Sequence, residues 1–170
     1  LDDESTNKIL EELEHRVGSL AQMYSLLNET GVSQQVELDH YLRQISKSLT
    51  DSFIEDNQKI KIKTEFDNII VSPKDASSIG LIINELLTNS LKYAFDKDSD
   101  GEITIKLKEE NNFAILLVAD NGRGLPKNFK IEDSTGMGLE LVKMLTQQLS
   151  GTLDVESKDG TTFKIVIPIK

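Results

Sequence analysis

The chain has no cysteine and no tryptophan, only 3 prolines, and aromatic residues at 5% of its 170 positions. Without cysteine there is neither a disulfide framework nor a thiolate metal site. The longest apolar run, Phe113–Ala119, falls far short of the ~20 residues that a membrane-spanning helix needs. No secretory leader is visible, and an opening Leu1 in place of Met is what a segment of a longer protein would show. Positive charge is scarce as well: 19 Lys and Arg stand against 29 Asp and Glu, a net charge of −10. That balance argues against non-specific nucleic-acid binding, which depends on basic side chains neutralising phosphates. Nucleotide binding stays open, provided that metal ions and backbone N–H groups neutralise phosphate locally. What is present, 38% apolar and 28% charged residues, reads as one large globular domain or two small ones. A chain of this length buries about two-thirds of its unfolded surface.

The pattern changes character near residue 56. Before it, Leu10, Leu13, Val17, Leu20, Tyr24 and Leu27 recur at spacings of three and four, one apolar seam along a helix. Leu38, Leu42, Ile45, Leu49 and Phe53 build a second seam. Between them, Glu29–Ser33 supplies a glycine to stop one helix and a serine to cap the next. The reading is an antiparallel αα-hairpin over residues 1–55. One stripe per helix leaves apolar surface uncovered, so the hairpin pairs with another hairpin or docks on the rest of the chain.

After residue 56, strand and helix patterns alternate. Lys59–Lys63 has period two. Ser72-Pro73-Lys74-Asp75 opens a helix expected to run to about Phe95. Ile103–Leu107 and Phe113–Val118 read as strands joined by a tight turn at Asn111-Asn112. A glycine-rich stretch, Asn121–Gly138, leads to a helix from about Leu139 to Leu149, stopped by Ser150-Gly151. Thr152–Glu156 and Thr162–Ile169 close the chain as strands turning at Lys158-Asp159-Gly160. Residues 56–170 are therefore expected to form an α/β sandwich, a mixed sheet with helices on one face, and the whole chain to be α+β.

Three segments of this second part carry chemistry. In the helix containing Ile83–Tyr93, Glu85, Asn89, Lys92 and Asp96 fall within an arc of about 60° at 3.6 residues per turn. Ile79, Ile83, Leu86 and Ala94 lie opposite, so a plain amphipathic helix with a solvated face shares the pattern. The Asn89 carboxamide adds a chemical reason, because its oxygen ligates a metal without placing negative charge beside a triphosphate. The second segment, Asp120-Asn121-Gly122-Arg123-Gly124-Leu125-Pro126, directly follows a buried strand. A carboxylate at a strand end accepts from an adenine amino group, and glycines let the backbone approach the base. A tight turn uses the same residues, since Asn-Gly is a strong turn signal. The third, Thr135–Leu139, puts Gly136 and Gly138 at a helix start, where free backbone N–H groups favour phosphate oxygens. Neither the Walker A sequence nor the longer dinucleotide fingerprint is present.

In this order, and followed by Gly160-Thr161-Thr162-Phe163, these segments resemble the N, G1, G2 and G3 boxes of the GHKL (Bergerat-type) ATPase superfamily. That superfamily contains gyrase, Hsp90, MutL and the sensor histidine kinases. The resemblance spans roughly residues 60–170 and implies ATP and Mg2+ as cofactors. It implies that Asn89 is the magnesium ligand, that Asp120 reads the adenine amino group and that Gly122 and Gly124 shape the base pocket. Gly136 and Gly138 would end the ATP lid, Leu125–Thr135, on the phosphates, and Thr162 would support Asp120. By the same resemblance Lys92 faces phosphate oxygens and Tyr93 the nucleotide's edge. Glu85 stands where hydrolytic members carry the residue that activates water. Arg123, Lys127 and Lys130 add a local basic patch near the lid.

The acceptor is sought in the hairpin. His15 sits off the apolar seam and begins His15-Arg16-Val17-Gly18-Ser19. This is similar to the His-Arg-x-x-Asn phosphoacceptor motif of the HisKA_2 and HWE families of sensor kinase, with Gly18 and Ser19 where those families prefer Lys-Asn. Asn84–Phe95 also resembles HisKA_2 wording. The resemblance implies a two-component sensor histidine kinase core. Mg-ATP would phosphorylate His15, and a response-regulator receiver domain would take the phosphoryl group onto an aspartate. An exposed histidine has a pKa of about 6.5, so an unprotonated ring nitrogen is available at pH 7. His40 is the only other imidazole. A homodimer through the hairpin, a cytoplasmic location and no nucleic-acid or membrane contact by this segment complete the expectation. Two alternatives differ in class. One is a GHKL protein serine kinase or ATPase with the hairpin as an interaction module. The other is a non-enzymatic phosphotransfer adaptor, against which the glycines at 122, 124, 136 and 138 speak.

Overall fold

Alternation of apolar and polar residues places five strands in one sheet. The computed structural model describes residues 35–54, 59–96, 99–131 and 136–169, with twelve scattered positions between Thr6 and Asn28, all helical. The strands are β2 (Lys59–Phe66), β4 (Asp100–Glu110), β5 (Phe113–Asp120), β6 (Thr152–Glu156) and β7 (Thr161–Pro168). Their order is β2-β4-β5-β7-β6, with β2 parallel to β4 and every other neighbour antiparallel, a mixed sheet. Asn111 and Asn112 turn β4 into β5 with φ of 50° and 65°, the left-handed pair that a two-residue hairpin requires.

Three helices cover one face of the sheet: α1 (Leu38–Phe53), α2 (Pro73–Asn89) and α3 (Met137–Gln148). The helix α1 packs on α2, and α2 on α3. Ile103, Ile105, Leu107, Leu116, Val118 and Ile165 of the sheet meet Ile79, Ile83, Leu86 and Val142 of the helices in one core. The start of α2 follows its sequence signal. The Ser72 hydroxyl accepts from the Asp75 N–H at 3.1 Å and donates to the Asp75 carboxylate at 2.9 Å, with Pro73 in the first turn. Its end does not. Ser90–Ala94 form a π-helical turn, and Phe95 is extended. Such turns recur at functional sites, and this one carries Lys92 and Tyr93.

The seam of the second predicted helix has a specific cover. Leu38, Leu42, Ile45 and Leu49 are buried in the same core as the sheet. Val36–Glu37 (β1) pairs antiparallel with Ile70–Val71 (β3), and the Leu38 N–H donates to the Ile69 carbonyl at 2.9 Å. The α1 seam and the sheet therefore share one continuous core. Periodicity shows that a helix has one apolar face but not which surface covers it. Of the first seam, Leu10, Val17, Leu20 and Tyr24 are exposed, and Leu27 is partly buried against the same core.

Tyr41, on α1, is 1% exposed and lies against Gly80, where a Cβ would approach its hydroxyl to 2.7 Å. That hydroxyl has no hydrogen-bond partner among the described residues. Burial pushes its pKa up to about 12 from 10.0. Burial penalises only the ionised form, so Tyr41 leaves stability independent of pH below 10. As pH rises from 10 through 12 the unfolded chain ionises first, and the fold loses up to about 2–3 kcal/mol. Tyr41→Phe is expected to equal or exceed wild-type stability at pH 8 and to lose less between pH 10 and 12, as read by urea melts.

Candidate functional site

The segments singled out by sequence converge on a cleft of about 430 Å³ between the end of α2, the end of β5 and the start of α3. Asp120 lines it, 8% exposed at the last position of β5. The Ser90 hydroxyl donates to Oδ2 at 2.9 Å, while the backbone N–H groups of Gly122 and Thr161 donate to Oδ1 at 3.0 and 3.3 Å. Each carboxylate oxygen has two lone pairs. Oδ1 has used both and Oδ2 only one, so the carboxylate keeps one acceptor position.

Glu85, 5% exposed, lines the cleft one helical turn before half-buried Asn89. Lys92 follows on the π turn, its ammonium 5.5 Å from the centre of the Phe53 ring. Tyr93, 52% exposed, also lines the cleft. Asp96 does not join the arc expected of it. The helix has ended by Phe95, and Asp96 instead holds the Arg123 guanidinium at 2.8 Å. Part of the basic patch is thereby neutralised.

Gly124, Gly136 and Gly138 line the cleft, whereas Gly122 does not. A Cβ on Gly122 would run into the Ala94 carbonyl, and the Arg123 N–H donates to that same carbonyl at 2.9 Å. Gly122 therefore lets the turn close on the end of the π helix. Gly136 is the N-cap of α3 and makes no side-chain cap, and it lines the cleft together with Met137, Gly138 and Leu139 of the first turn. That is a helix N-terminus turned to the cleft, an arrangement suited to phosphate oxygens.

One assignment needs correcting. Thr162 does not support Asp120; Thr161 does. Asp120 pairs with Thr161 across β5 and β7, and Thr162 pairs with Ala119. Side chains alternate along a strand, so Thr161 and Phe163 line the cleft and Thr162 faces the other way. Ser90 and Phe53 were missed altogether. Ser90 left a signal, a small polar residue next to Asn89 on an otherwise buried helix, but Phe53 read only as the last residue of a seam. His15 and lid residues 132–135 lie outside the described residues.

Among the described residues no group of three or more His, Asp or Glu side chains could hold a metal ion. The Asn89 carboxamide, beside a cleft open to phosphate oxygens, suits a magnesium ion shared between protein and triphosphate.

Residues 74–170 match the family described as histidine kinase-, DNA gyrase B- and HSP90-like ATPase. The chain belongs to this family. Residues 1–53 match a second family, described as histidine kinase. The sensor histidine kinase PdtaS of Mycolicibacterium smegmatis is 32% identical over 98% of this chain and 34% of that protein. Blue-light-activated histidine kinase 2 of Erythrobacter litoralis is 28% identical over 92% of this chain and 46% of its own length. Among solved structures, the histidine kinase domain from the Erythrobacter litoralis EL346 blue-light activated histidine kinase superposes with a TM-score of 0.82 at 27% identity. It covers 92% of this chain and 74% of that one. The chain thus spans about a third of the first of these relatives. The mixed sheet and its helices agree with the family's ATP-binding fold. No described helix is long and apolar enough to cross a membrane.

Proposed function

We propose that this chain is the catalytic core of a two-component sensor histidine kinase, transferring the γ-phosphoryl group of ATP to His15. The observation that carries the reading is Asp120, a buried carboxylate held by three donors with one acceptor position left. An adenine amino group completes that set. A triphosphate then extends toward Asn89, Lys92 and the free N–H groups at Gly136–Gly138. Asn89 would hold Mg2+ together with phosphate oxygens, and the ion, when bound, supplies charge neutralisation. Lys92 supplies more of it, which matters because phosphoryl transfer depends on positioning and electrostatics rather than covalent help.

In the transfer, the lone pair of an unprotonated His15 ring nitrogen forms the new N–P bond. The bond from phosphorus to the β–γ bridging oxygen breaks, ADP leaves with that oxygen, and the ring's other N–H loses its proton to solvent. A response-regulator receiver aspartate then takes the phosphoryl group, on the cytoplasmic side where ATP is available. The same reading gives residues 1–55 to acceptor and dimer contacts and residues 56–170 to the ATP-binding unit, with the α1 seam packed into the sheet's core.

One observation favours a second reading, ATP hydrolysis: Glu85 is a buried carboxylate on the same cleft. Incubation with γ-labelled ATP and magnesium separates the two. The expected result is an acid-labile label that maps to His15 and fails to form in EDTA. Phosphate release without protein label would favour the hydrolase, and an acid-stable label a serine kinase.

A further inference from the structure

We propose that Ser157 is a positioning residue for the nucleotide, holding Leu125 at the wall of the cleft through one shared hydroxyl; this rests on the nucleotide reading above. Ser157 opens the turn between β6 and β7, far in sequence from the loop it touches, and is not itself part of the cleft wall. Its Oγ accepts from the Leu125 N–H at 2.8 Å and donates to the Gly160 carbonyl at 3.2 Å. The two bonds use the hydroxyl's proton and one of its two lone pairs.

Two glycines make this approach feasible. Gly124 has φ of +72°, and a Cβ there would lie 2.8 Å from Ser157 Oγ. Gly160 has φ of +123°, and a Cβ there would run into the Asp120 carbonyl. The next N–H, that of Thr161, donates to Asp120 Oδ1. An unbroken set of contacts thus runs from Asp120 through Gly160 and Thr161 to Ser157 and on to Leu125. It ties the carboxylate proposed to read adenine to the start of the loop that leaves the same strand. Gly124 and Leu125 both line the cleft, so their placement shapes the space a nucleotide enters.

Ser157 is exposed, so alanine there leaves no cavity and the fold is expected to persist. In nucleotide-free protein, Ser157→Ala should speed Leu125 amide exchange several-fold, while the Gly122 and Thr161 amides keep their protection. ATP should bind about two- to tenfold more weakly, the effect of one lost hydrogen bond. Ser157→Thr, which keeps the hydroxyl, should restore both readouts. Unchanged Leu125 exchange in Ser157→Ala would overturn the proposal by showing that the bond constrains nothing. Faster exchange with unchanged ATP affinity would overturn it too, since Leu125 would then be held without consequence for the nucleotide. Failure of wild type to bind ATP would overturn the nucleotide reading and this role with it, and the exchange comparison distinguishes that case because it needs no ligand.

Discussion

Replacing His15 with alanine is expected to abolish phosphorylation of the protein while leaving ATP affinity unchanged. Among the described residues the cleft is lined by positions between Phe53 and Phe163, none of them in the first helix. The helix should tolerate the change, because alanine is the better helix former and the neighbouring Glu14 and Val17 are helical and exposed. The measurement is acid-labile label after incubation with γ-labelled ATP, alongside calorimetric titration with a non-hydrolysable analogue. Label that persists in His15→Ala would place the acceptor elsewhere. His40 is then the next candidate, exposed on α1. Label lost together with ATP affinity would mean that the first helix completes the nucleotide site, against the separation drawn here.

Asp120→Asn should weaken ATP binding by about 1.5–3 kcal/mol, roughly ten- to 150-fold, with the fold retained. Asparagine is a more discriminating replacement than alanine. Alanine would strand the Ser90 hydroxyl and the Gly122 and Thr161 N–H groups, all of which now donate to the carboxylate. In asparagine the oxygen can keep the two backbone donors at the Oδ1 position, and the Ser90 hydroxyl can turn to accept from the new amide. What the amide nitrogen cannot do is accept from an adenine amino group. Only the ligand's bond is therefore lost. Calorimetry of a variant with an unchanged melting temperature provides the measurement. Wild-type affinity in that variant would remove Asp120 from adenine recognition.

Much of the site was legible because its chemistry is local. Asn89, Lys92, Asp120, Gly136 and Gly138 were found from short motifs, each a run of residues whose backbone or side-chain properties are set by near neighbours. All of them reach one cleft. The errors share a different origin. Thr162 and Thr161 are the same residue type side by side, and only the pairing of β5 with β7 decides which of them faces Asp120. Asp96 left the expected arc because a π turn ended the regular 3.6-residue repeat before reaching it. Gly122 read as part of a base pocket, yet it serves a close approach to Ala94.

The sequence by itself determined the main strands and helices of residues 59–169, where the glycine-rich turns lie and which residue types gather at the cleft. Period-two alternation, capping residues and glycine content act over a few residues and need no partner to be recognised. Tertiary structure alone decided what covers each apolar face. The seam of α1 packs on α2, closes the core beneath the cleft and brings Phe53 against Lys92. Tertiary structure also decided which hydroxyls are put to use. Ser90 and Ser157 have ordinary local surroundings, but each meets a partner some 30 residues away in sequence, at 2.9 and 2.8 Å. Burial and long-range hydrogen bonding depend on how the whole chain closes on itself, and no window of neighbouring residues contains that information.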